Sequence, residues 1–114
     1  MEILEKFRLN MEPVKLESGP DRFRADYQEL CLTGYKSHSL WDMAEELEEK
    51  GYNLVDGEAT GLTYYSHDGK TEIYLDELSD LSGQRCRVMI LAGELSEEQL
   101  PVAEEDAKNL FYDL

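Results

Sequence analysis

Two stretches of the chain repeat apolar residues at the spacing of a helix with one buried face. In residues 39–51, Leu40, Met43, Ala44 and Leu47 fall at i, i+3, i+4 and i+7. Asp42, Glu45, Glu46 and Glu49 take the same spacing on the opposite side, so four carboxylates form an outward band. Ser39 is placed to cap this helix, with Asp42 in the capping-box position, and Gly51 to end it. The second stretch has Ala103, Ala107, Leu110, Phe111 and Leu114 as its core face. Its main helix is expected from Pro101, a residue suited to the first helical turn. A short turn over 96–100 should precede it, with Ser96 and Gln99 as a capping box and Leu95 and Leu100 as a hydrophobic staple.

Between these helices the periodicity drops to two. Residues 62–65 and 71–75 read as strands of a hairpin, joined by a turn that contains Asp68-Gly69. Residues 52–55 form a shorter strand, stopped by Asp56-Gly57. Residues 85–92 are apolar on both faces from Val88 to Leu91, which predicts a central strand. The acidic segment 76–84 reads as a polar connection. Residues 23–33 predict one long strand whose alternation changes phase, and a bulge or break near Gln28-Glu29 reconciles its two halves. Residues 14–16 suggest a short extended piece before a turn at Ser18-Gly19-Pro20-Asp21. Residues 2–9 suit a strand through Ile3, Phe7 and Leu9, although Leu4, Phe7 and Met11 also match a helix; the strand is preferred.

The expected fold is a single α+β domain over residues 1–114. It is a two-layer arrangement, with an antiparallel or mixed sheet of five or six strands and two amphipathic helices on one face. The helix–strand–hairpin–helix order resembles, in outline, that of double-stranded-RNA-binding domains. The basic residues such domains need are absent, and that reading is rejected.

Charge changes the picture more than composition does. The chain has 26 acids and 11 lysines and arginines, a formal net charge of −15. That surface repels nucleic acid and anionic membrane and attracts basic surfaces. No run approaches the ~20 apolar residues of a membrane-spanning helix, and no basic-apolar leader stands at the start, so a cytoplasmic protein is expected. Cys31 and Cys86 are then expected to be reduced.

The candidate chemistry is sparse. His38, His67, Cys31 and Cys86 form no compact ligand pair, so no metal, cofactor or catalytic group is expected. Tyr27, Tyr35, Tyr52, Tyr64, Tyr65, Tyr74 and Tyr112 lie mostly on or beside strands, with Trp41 at the edge of the first helix's apolar face. Such residues suit an interface, which a second copy could fill as a homodimer. Glu48 and Glu49 stand near the negative end of the helix dipole, where acids are unfavourable. The favoured expectation is therefore a non-enzymatic acidic protein that docks on a basic surface of a partner protein and blocks it. Its partner-binding residues would be Asp42, Glu45, Glu46, Glu49, Glu104 and Glu105. Nucleic-acid-mimic inhibitors encoded by phages and mobile elements behave this way as a class, though no motif places the chain among them. The alternative is a small regulatory or chaperone-like interaction domain that works through its sheet and tyrosines, with charge serving solubility alone.

Overall fold

A computed structural model describes residues 15–57, 61–66, 69–80 and 83–114. The strand-or-helix choice for residues 2–9 and the placement of His67 lie outside them. The elements run β1 (Lys15–Pro20), β2 (Gln28–Lys36), α1 (Leu40–Glu49), β3 (Asn53–Gly57), β4 (Gly61–Tyr65), β5 (Thr71–Asp80), β6 (Gly83–Leu95) and α2 (Leu100–Asp113). The six strands form one sheet in the order β1-β2-β6-β5-β4-β3, and every neighbouring pair is antiparallel. This is an α+β fold with no parallel pairing among the described strands. β6 lies between β2 and β5, as its two-sided apolar run predicts.

Register divides the residues between the two faces. Leu32, Ile90, Ile73 and Tyr64 are successive cross-strand partners, and all four are buried. In the next row Gly34, Val88 and Leu75 are partners. Leu40, Met43, Ala44 and Leu47 of α1 and Ala107 and Phe111 of α2 join these strand residues in one core. Phe111 sits directly over Gly34: a Cβ at that position would come within 2.6 Å of the ring. A mid-strand glycine thus makes room for the largest apolar side chain of α2.

Four expectations are corrected. β2 starts at Gln28 rather than residue 23, and it runs on through Gly34 and Lys36. Residues before it form a loop in which Asp21 Oδ1 accepts from the backbone N–H groups of Phe23 and Arg24, at 2.7 and 3.1 Å. Phe23 is left 85% exposed, so its apolar character marks no strand face. The extended piece before this loop runs from Lys15 to Pro20, so Ser18-Gly19-Pro20 is strand and the chain turns only after it. The predicted polar connection over 76–84 is mostly strand: β5 continues to Asp80 and β6 begins at Gly83. Backbone pairing with β6 satisfies the main-chain polar groups of that segment. The bulge, by contrast, falls where the phase change puts it, between Gln28 and Leu30.

A side-chain cap opens α1, and a side-chain box closes the turn before α2, whose N-cap Gln99 makes no side-chain cap bond. Ser39 Oγ accepts from the Trp41 N–H at 3.2 Å, and Gly51 ends α1 with φ +93°. Ser96 and Gln99 exchange side-chain and backbone hydrogen bonds at 3.0 and 3.3 Å, closing the capping box ahead of α2.

Candidate protein-docking site

The band on α1 faces water. Asp42, Glu45 and Glu49 are exposed, and Glu46 is half-buried. Among the described residues, Glu46 alone of the four has an ion-pair partner, Lys50 at 3.7 Å. Lys50 also reaches Asp113 of α2 at 3.3 Å, which adds that carboxylate to the edge of the band. Glu105 is exposed and Glu104 half-buried, but they lie away from this junction. Along α2 they stand eight and nine residues before Asp113, roughly 12–13 Å at the helical rise.

Trp41 departs most clearly from its expected place. It points away from the core and is 74% exposed. At helical spacing it neighbours Glu45, four residues on, so a large aromatic surface adjoins the carboxylate band. The sequence does hold this signal. Trp41 follows Leu40 directly, and adjacent helical positions lie about 100° apart, so position 41 is off the face set by residues 40, 44 and 47.

The charge around both helices is lopsided. Residues 39–51 and 96–114 hold eleven acids against Lys50 and Lys108, a net of nine negative charges. Much of the remaining basic charge is paired elsewhere. Lys15–Glu17, Arg22–Glu29 and Arg87–Asp76 each close at 2.9 Å.

Those pairs border the sheet face turned away from the core. Register sets Cys31, Leu91, Glu72 and Tyr65 in one row and Thr33, Met89, Tyr74 and Thr63 in the next; all eight are half-buried. Tyr74 O–H donates to Glu72 Oε2 at 2.5 Å, and this bond raises the tyrosine pKa far above its ordinary value. Tyr64 and Tyr65 point to opposite faces, Tyr64 into the core.

Lys36 was not singled out by sequence reasoning. It is buried on β2, and its Nζ donates to the backbone carbonyls of Phe111 and Tyr112 at 2.5 and 3.4 Å. Burial pushes its pKa down, while the Asp113 carboxylate pulls it back up. His38 Nδ1 is 2.6 Å from the main-chain oxygen of Leu114, so that nitrogen carries the donated proton. Lys36, His38 and Lys50 thus gather at the negative end of α2.

Cys31 and Cys86 lie on opposite sheet faces, half-buried and buried respectively. Burial raises the Cys86 pKa, which disfavours its thiolate. No group of three His, Cys, Asp or Glu side chains able to hold a metal ion occurs among the described residues. No helix among them is long and apolar enough to cross a membrane. Compared with known proteins, the chain matches no protein-family model, no curated protein and no solved structure.

Proposed function

We propose that this chain is a non-enzymatic acidic binding protein that docks its helix side on a basic, nucleic-acid-binding surface of a partner protein and blocks it. The observation that carries the reading is the exposed Trp41 beside carboxylates with few local counter-charges. Acids at i, i+3, i+4 and i+7 stand roughly 5–6 Å apart. Arginines that grip phosphates can grip such carboxylates through paired charge-assisted hydrogen bonds. Trp41 offers the same arginines an aromatic face, which strengthens when water is excluded. Aromatic anchors of this kind dominate the energy of many interfaces.

The reading takes both helices to cover one face of the sheet, in two layers. The seat of Phe111 on Gly34, and the sharing of one core by α1 and α2, support that arrangement. Docking would then leave the opposite face available, and the binding free energy would be electrostatic enough to fall steeply with salt.

The test is affinity capture from the native host at low and high salt, followed by competition. The captured partner should be released by high salt and by nucleic acid. Glu45→Lys with Glu46→Lys should abolish capture while the circular dichroism spectrum and melting temperature stay close to wild type. Capture unchanged by the folded double variant rejects the proposal.

A second reading is favoured by one observation, the charge-paired and aromatic sheet face around Met89, Leu91 and Tyr74. In that reading the chain is a regulatory or chaperone-like domain, and this face is its interface. A homodimer that persists in light scattering at high salt, and dissociates on Met89→Glu, would support it. A monomer under all salt conditions would count against the homodimer.

A further inference from the structure

A cleft of about 500 Å³ opens beside α2. Its apolar lining comes from Ile90 and Ala92 of β6 and from Val102, Ala103 and Leu110 of α2, with Tyr52 at the end next to α1. Around it stand Glu94, Glu98 and Asp106 on the acidic side and Lys70, which reaches Glu94 at 3.9 Å. The volume lies within the range of ligand-binding clefts. Val102 is 62% exposed although it lines this apolar space. Glu94 is met by Lys70 and, at 3.6 Å, by Arg24, whereas Glu98 and Asp106 form no ion pair among the described residues. These two carboxylates disfavour an anionic guest, and the apolar lining rewards more than a bare cation.

We infer that this cleft receives a segment of the basic partner in which an apolar side chain is flanked by lysine or arginine. The inference rests on the proposed docking to a basic partner and adds where its apolar anchor goes. In this arrangement the α1 band supplies charge and speed of association, while the cleft supplies specificity. The apolar side chain displaces water from the lining, and its basic neighbours meet Glu98 and Asp106. Burying one such side chain is expected to strengthen binding on the order of tenfold over an equally charged segment without it.

Two short synthetic peptides of equal positive charge test this, one spacing leucines among lysines and the other serines among lysines. The intact protein, labelled with nitrogen-15, is titrated with each and followed by amide NMR, with Trp41 fluorescence read in parallel. The leucine peptide should bind about tenfold tighter and move the amides of Ala92, Leu95, Val102 and Ala103. Ala103→Phe, which fills the cleft, should remove that advantage; if it fails to fold, Val102→Asn at the exposed lip should reduce it. Equal affinity for both peptides, with changes confined to α1 and Trp41, overturns the cleft and leaves acidic docking standing. Leucine-dependent changes confined to Met89 and Leu91 place the guest on the sheet and also overturn it. Binding of neither peptide contradicts the cleft and the basic-partner reading together.

Discussion

The two helices carry similar charge and treat it differently. The negative end of α2 is surrounded by Lys36, His38 and Lys50, and Phe111 fixes it over Gly34. Neither helix has a basic residue in its own last turn, but α2 draws its three from other elements. The last turn of α1, by contrast, holds Glu46, Glu48 and Glu49 with Lys50 just beyond it, shared with Asp113. The dipole argument predicts basic residues at the C-terminal end of each helix. α2 obeys it because its terminus is packed on the sheet, where uncompensated carbonyls would be costly. α1 departs from it on a surface where water screens the misfit. The difference teaches that α2 is arranged for stability, and that α1 carries a surface which stability alone does not explain.

Truncating Phe111 should break the α2 side hardest. Phe111→Ala empties a fully buried site and is expected to cost about 3–5 kcal/mol in chemical denaturation. Reversing Glu45 and Glu46 should do the opposite: affinity for the captured partner falls on the order of 100-fold, with stability changed by less than about 0.5 kcal/mol. Calorimetric titration beside thermal melts separates these outcomes. Gly34→Ala is smaller, at about 1–3 kcal/mol, because its new methyl meets the Phe111 ring. Combining it with Phe111→Leu should recover part of that loss, since the two positions share one contact.

The smallest effect concerns Asp21, in the loop between β1 and β2. Its Oδ2 accepts from the Glu94 N–H at 2.7 Å, and Glu94 holds a left-handed φ of 56° that is unusual for a residue with a side chain. With Phe23 and Arg24 also donating, these backbone bonds hold the Asp21 pKa below its ordinary 3.8. A lowered folded-state pKa gives stability that is present above the unfolded value and lost as pH falls through the folded one. Asp21→Asn should therefore lower the melting temperature at neutral pH and flatten its decline below about pH 4. An unchanged acid limb would show that Asp21 contributes little to it.

Local pattern was enough where one face of an element decides its place. The α1 face, the hairpin of β4 and β5, the central β6 and the capping box at Ser96 and Gln99 all follow from short-range spacing. The sequence was misleading where partners are distant. Gly34 and Lys36 resemble a loop, and only contact with Phe111 and Tyr112 explains them as strand. Phe23 resembles core, yet the Asp21 turn holds it out in solvent. Residues 76–80 lack apolar alternation, and their strand comes from pairing with β6. The carboxylate band was readable, and so was the outward turn of Trp41 through its offset from the Leu40 face, but not the link from Lys50 to Asp113.

Trp41 is the only tryptophan in the chain, so its emission reports directly on the α1 surface. The decisive measurement is a fluorescence titration with the captured basic partner at low salt, repeated with Glu45→Lys and Glu46→Lys. A saturable shift of emission that disappears in high salt and in the double variant is the expected result. A partner that binds at full affinity and leaves Trp41 emission unchanged would contradict docking on α1.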